Sequence, residues 1–216
     1  MKITRIVKKD EKNVIVYLDN NEKLILTYEI LLKNGLRKNR DIPEDHFHFL
    51  IRENQKHHIK QKAFSYIGRR HHSAFEIRTK LRQKKYDNSL IEEIMNDLIA
   101  KKYIDDLEFA GIFTDENIRL KLWGKNKIKG ELIKRGVDRE IISQVLNEKF
   151  PEGNDLENAV NLARRKYKSL QKRNLEEMNL KQKLYTFLSS RGYDYETSKE
   201  AVNKIIREGA NYSKSI

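Results

Sequence analysis

The 216-residue chain carries 45 lysines and arginines against 32 acidic residues, a formal charge of +13, with 36% charged and 38% hydrophobic residues. So low an apolar share suits thin helical units with much surface, not one thick core. The absence of cysteine excludes disulfides, thiol catalysis and cysteine-based zinc sites. Met1-Lys2-Ile3-Thr4-Arg5 contains no apolar signal core and no stretch approaches a membrane span, so a cytoplasmic protein is expected.

The first 27 residues read as strands. Val14, Val16 and Leu18 alternate with Ile15 and Tyr17 at the two-residue period of a strand. Asp19-Asn20-Asn21-Glu22 is hairpin-turn composition, Leu24-Ile25-Leu26 returns, and Ile3–Val7 supplies a third strand of a small meander. Such a sheet needs a helix on one face. Tyr28–Lys33 is the predicted short helix, stopped at Gly35. Pro43 then suits the first turn of a helix, with Glu44 and Asp45 near its positive end. From there to about Arg70 the apolar spacing is helical, as one long helix or as two with a break near Asn54–His58.

The remainder repeats itself. Ile77–Leu81 through Tyr86-Asp87 is echoed 51 residues on by Ile128–Leu132 through Val137-Asp138, and more weakly by Leu184 and Leu188 through Tyr193-Asp194. Each unit reads as three helices. In the first, residues 59–69 form helix one. Ser73-Ala74-Phe75-Glu76 has the spacing of a capping box and opens helix two, with Ile77, Leu81 and Phe75 facing inward. Leu90, Ile91, Ile94, Met95, Leu98 and Ile99 line helix three. In the second, Asp105-Asp106 caps a helix holding Phe109, Ala110, Ile112 and Phe113 and ending at Trp123-Gly124. Ile128, Leu132 and Ile133 mark its middle helix, Gly136 takes a left-handed turn, and Ile141, Ile142, Val145 and Leu146 repeat the earlier face. Pro151–Asp155 reads as a linker. The third unit carries Ala159, Leu162, Ala163 and Tyr167, then Leu184, Phe187 and Leu188, then Ala201, Val202 and Ile205; Gly209–Ile216 reads as a frayed tail. The expected organisation is a strand-and-helix segment over 1–58 and three-helix repeats over 59–103, 104–150 and 155–208. That is a mainly α protein of tandem helix-turn-helix-like repeats forming an elongated, curved array, a binding surface more than a pocket.

Basic residues recur in the repeats: Arg69, Arg70, Arg78 and Arg82 in the first, Lys125, Lys127, Lys129, Lys134 and Arg135 in the second, Arg164, Arg165 and Lys168 in the third. Such side chains meet phosphates, acidic protein surfaces or only water, and a Lys-, Ile- and Asn-rich composition also follows from genome base bias. Their recurrence favours a polyanionic or acidic partner. The aromatics among them (Tyr66, Tyr86, Tyr103, Trp123, Tyr167) are expected to pack between helices in preference to stacking on bases. The histidines at 46, 48, 57, 58, 71 and 72 lack metal-binding spacing, Asp105-Asp106 is a cap, and no phosphate loop or catalytic triad pattern is visible. No enzyme activity and no cofactor or metal are expected.

With these residues in view, the chain resembles the RecX family, regulators of the RecA recombinase. The resemblance covers about residues 60–208. It is carried by His72-Ser73 before Glu76, Lys80 and Leu81; by Tyr103-Ile104-Asp105-Asp106 with Phe109-Ala110; by Lys127-Ile128, Glu131-Leu132 and Arg135-Gly136-Val137; and by Phe187-Leu188 with Arg191-Gly192-Tyr193. It implies tandem three-helix repeats that bind RecA and its filament on single-stranded DNA and limit recombinase activity, as a monomer without membrane contact. Lys85 and Lys102 depart from the glycine frequent in the family, at a cost if the backbone there is left-handed. Two other readings stay open: a sequence-specific helix-turn-helix DNA binder and a protein scaffold without a nucleic-acid role.

Overall fold

The structure, a computed structural model, describes residues 1–151, 154–171 and 175–213, with the backbone alone at 154 and 209–213. Three strands, β1 (Ile3–Lys8), β2 (Asn13–Leu18) and β3 (Lys23–Thr27), form an antiparallel meander in chain order. Val14 pairs with Leu26 and Val16 with Leu24, and the β1–β2 register slips between Ile3 and Arg5. Ile3, Val14, Val16, Leu18, Leu24 and Leu26 are buried in one cluster with Ile30, Leu36, Ile42 and Leu50. The covering residues come from α1 (Tyr28–Lys33), the segment after it and α2 (Glu44–Ile67). Thr27 caps α1 by accepting from the Ile30 amide, and Gly35 takes φ +58° just beyond it.

Helix α2 is a single helix of 24 residues, capped by Pro43 instead of containing it, and residue 58 lies inside it. Asn54, where a break was conceivable, is buried in the helix and serves the edge of β3: its side chain accepts from the Thr27 amide and donates to the Ile25 carbonyl, both at 2.9 Å. A polar residue that repays its burial in this way does not interrupt a helix.

The remaining helices among the described residues are α3 (Ala74–Gln83), α4 (Asn88–Ala100), α5 (Asp106–Lys121), α6 (Lys125–Lys134), α7 (Arg139–Lys149), α8 (Asn154–Gln171), α9 (Glu177–Ser190) and α10 (Tyr195–Ser213). The protein is thus mainly α with a small N-terminal sheet. It divides into two compact units, Met1–Arg70 with Ile77–Tyr103, and His71–Glu76 with Ile104–Ile216. In the first unit α2 packs on α4, and Arg52 and Lys56 reach Glu93 at 2.9 and 2.6 Å. In the second, α5 packs on α7 and α8 on α10, around the clusters of Phe109, Ile128, Leu132 and Val145 and of Ala163, Leu184, Leu188 and Val202.

Equivalent turns repeat. Asp87, Asp138 and Asp194 each accept an amide at the start of the third helix of their triplet, from Leu90, Glu140 and Thr197. Lys85, Gly136 and Gly192 take left-handed φ of 61°, 68° and 94° at the matching position, and Lys102 is left-handed too at 60°. The capping box forms as expected: the Ser73 amide donates to Glu76 and the Glu76 amide to Ser73 Oγ.

Three expectations need correction. Phe75 is 47% exposed, because its ring covers Gly136 from one side only. Tyr103 is half-exposed and meets Phe64 edge to face at 5.1 Å, so only one side of its ring packs. Residues 209–213 are not frayed but continue α10. Asn154 and Asp155 of the expected linker already belong to α8, while Glu152, Gly153 and 214–216 lie outside the described residues.

Candidate nucleic-acid interface

Three faces of α6 explain the fate of its cations. Gly124 begins the helix, and Ile128 and Leu132 are its buried stripe. Along a second stripe, Glu131 collects charge: Arg135 lies at 2.7 Å, Lys134 at 3.1 Å and Lys127 at 3.8 Å. The Arg135 and Lys134 hydrogen bonds hold the Glu131 carboxyl below the usual carboxylate range. Arg135 also stacks 4.5 Å over the Phe113 ring, and its Nε is 3.9 Å from Glu76. Arg135 is thus held by several partners, while Lys134, 70% exposed, shares the same carboxylate at the surface.

The third face is different. Lys125, Asn126, Lys129 and Ile133 of α6 and Arg139, Ser143 and Asn147 of α7 line an open cleft of about 500 Å³. None of the described residues lining it is acidic. Lys129 and Arg139 are exposed; Lys125 also feels the charge of Asp155. A cleft with cations and no internal counter-ion draws an external anion.

The corresponding places on α3 and α4 hold Arg78 and Arg82, and both pair with a single carboxylate. Arg78 Nε and an Arg82 terminal nitrogen reach Glu92 at 2.9 and 2.8 Å. Glu92 stands where α7 has Ser143, an offset of 51. In the third triplet Arg164 forks onto Glu208 at 3.1–3.3 Å. Arg165 and Lys168 are exposed and form no ion pair among the described residues. Arg69 and Arg70 follow α2 and are exposed. Of the twelve cations legible in the sequence, Arg78, Arg82, Lys134, Arg135 and Arg164 pair with acids, whereas Lys129, Arg165 and Lys168 are exposed and form no ion pair among the described residues. Arg139 was missed, although its spacing from Lys129 across the Gly136 turn places the two on one cleft.

The expected packing role holds for Trp123, half-buried beside Phe113 with Lys121 at 4.4 Å over its ring. Tyr193 is 4% exposed and donates to the Leu122 carbonyl at 2.8 Å; burial raises its phenol pKa. No group of three or more His, Asp or Glu converges as a metal site, and no helix is long and apolar enough to cross a membrane, among the described residues.

Comparison with known proteins gives consistent matches. Models described as RecX first, second and third three-helix domains match residues 60–98, 105–146 and 154–202. A regulatory protein RecX of Clostridium acetobutylicum is 30% identical over 93% of this chain and 94% of its own length. One of Listeria welshimeri is 32% identical over 93% of this chain and 74% of its own length. Among solved structures, a crystal structure of regulatory protein RecX superposes with a TM-score of 0.70 at 21% identity, covering 96% of this chain and 98% of that one. A RecX structure from Lactobacillus salivarius gives 0.62 at 22%, covering 71% and 97%.

Proposed function

The chain belongs to the RecX family of regulatory proteins, and on that premise we propose that it binds RecA and RecA–single-stranded DNA filaments and inhibits recombinase activity. The protein acts by occupancy, as a cytoplasmic monomer without a cofactor. The repeats over 59–103, 104–150 and 155–208 are its binding modules, and a bound protein blocks extension of the filament and favours its disassembly. The observation that carries this reading is the cleft between α6 and α7, where Lys125, Lys129 and Arg139 converge without an acidic lining residue. A filament presents both phosphates and acidic protein surface, so cations without internal partners suit it.

The test is RecA-driven strand exchange and ATP turnover at low salt with substoichiometric protein. Both fall if the reading is right. Unchanged rates at a concentration that saturates any DNA binding overturn it. A sequence-specific helix-turn-helix reader would instead prefer its own site by at least about 10³-fold, whereas this reading expects little dependence on base sequence.

A further inference from the structure

We propose that the cleft between α9 and α10 is a stacking site for an unpaired base of a single-stranded nucleic acid, with Tyr185 and Tyr195 as its platform. The proposal rests on the reading that the chain meets nucleic acid, and adds where a base, as distinct from a phosphate, is held.

One location carries three different chemistries in the three triplets. On α3 and α4 it holds Arg78 and Arg82, which share the single carboxylate of Glu92. On α6 and α7 it holds Lys129 and Arg139, uncancelled. On α9 and α10 an offset of 56 puts Tyr185 in the place of Lys129 and Tyr195 in the place of Arg139. The two rings lie 18° from parallel with centroids 6.4 Å apart, toward the loose end of the roughly 4.5–7 Å range for aromatic pairs. Tyr185 is partly buried against the core of the triplet, while Tyr195 stays 67% exposed and leaves ring surface uncovered.

The rest of the cleft, about 560 Å³, is lined with short polar groups that include Gln182, Thr186, Ser189 and Ser198. Ser198 is only 3% exposed, and its Oγ has no hydrogen-bond partner among the described residues. A buried hydroxyl left unpaired at a cleft is an open donor and acceptor of the kind that reads a base edge. Asp194 also lines the cleft, accepting from the Thr197 amide. Its charge disfavours a phosphate there and leaves a flat neutral ring as the suitable ligand. Lys199, outside the cleft lining, stands where α7 has Ser143, with its Nζ 5.8 Å from the centre of the Tyr195 ring. An aromatic platform in one module and a cationic cleft in its neighbour are the two parts of single-strand recognition.

The experiment compares a single-stranded oligonucleotide with an abasic strand of equal phosphate number, both binding to the full chain. The unmodified protein prefers the base-bearing strand by at least roughly five-fold. Tyr185→Leu/Tyr195→Leu removes that preference but keeps abasic binding and its salt dependence, while Tyr185→Phe/Tyr195→Phe retains the preference. Photo-cross-linking of a 5-iodouracil oligonucleotide to the unmodified protein labels Tyr185 or Tyr195 by mass spectrometry. Equal binding of the two strands overturns the proposal even if a leucine variant fails to fold. So does a double leucine variant that still prefers bases. Loss of RecA-filament binding with oligonucleotide preference intact assigns the cleft to protein and also overturns it. Because none of the oligonucleotide arms contains RecA, a chain that prefers bases without inhibiting RecA upholds this site and refutes only the regulatory reading.

Discussion

Gly124 and Gly192 meet backbone to backbone: a methyl group on Gly124 would lie 2.7 Å from the Gly192 carbonyl oxygen. Around this point the Gly124 amide donates to Arg191 O at 2.8 Å and the Asn126 amide to Gly192 O at 3.1 Å. The C-terminal carbonyls of α9 thus satisfy the N-terminal amides of α6, groups a helix leaves unpaired. The same joint recurs one module back, where Ser73 Oγ donates to Arg135 O at 2.6 Å and Phe75 covers Gly136. Helices α9 and α6 thus dock tail to head, and glycine at the left-handed position 192 lets them approach.

A Cβ on Gly192 would collide with the Lys127 backbone, and its φ of 94° is foreign to other residues. Gly192→Ala therefore destabilises by about 2–4 kcal/mol. Gly130→Ala meets nothing within 4 Å inside α6 and stabilises by about 0.5–1 kcal/mol. Urea unfolding followed by circular dichroism separates them by opposite shifts of the midpoint.

Lys85 and Lys102 hold left-handed φ at positions where a side chain is strained. Lys85→Gly relieves this without removing a buried contact, since Lys85 is exposed. The expected gain is about 0.5–1 kcal/mol after the added freedom of the unfolded glycine is counted. A thermal melt that moves downward contradicts it.

Asp155 carries a pH dependence. Burial and then the charge of Asp194 push its carboxyl up to about 6, against an opposing pull from Lys125. Its Oδ1 is buried without a hydrogen-bond partner among the described residues. A folded carboxyl that keeps its proton longer than an unfolded one confers stability that is full below about pH 4 and is lost as pH rises through 6. The full shift corresponds to about 3 kcal/mol, and solvent screening of this half-buried group reduces the loss to the order of 1–2 kcal/mol. Asp155→Asn should flatten stability between pH 4 and 7 and raise it at pH 7, as read from urea midpoints across that range.

Cations with and without internal partners should separate in DNA binding. Lys129→Ala/Arg139→Ala weakens single-stranded DNA binding and lowers the magnitude of the logarithmic salt slope by about 1.4, two phosphate contacts' worth. Arg78→Ala/Arg82→Ala lowers the slope less, because Glu92 already offsets one of the two charges. Fluorescence anisotropy titrations at several salt concentrations decide the matter, and equal effects of the two pairs contradict it.

Much of this organisation was legible in the chain. The alternation of Val14, Val16 and Leu18, the Ser73–Glu76 capping box and the glycine stops are local codes, and local codes survive folding. The sheet, the capped triplets and the left-handed Gly136 and Gly192 follow from them. The role of Asn54 was not legible, because its partners, Thr27 and Ile25, are distant in sequence. Nor was the pairing of Arg78 and Arg82 with Glu92: a count of cations does not say which acid each faces. Phe75 reads as core because helical spacing marks a face without saying whether a neighbour covers it. Tyr185 and Tyr195 carry no motif, and only alignment of the triplets on Asp138 and Asp194 places them opposite Lys129 and Arg139.

Co-sedimentation with RecA–single-stranded DNA filaments at low salt tests the central claim most directly. The unmodified chain should pellet with the filaments, and Lys129→Glu/Arg139→Glu should stay largely in the supernatant while keeping the unmodified protein's thermal melt. An unmodified chain left in the supernatant, or a charge-reversed chain that pellets equally well, would contradict the account.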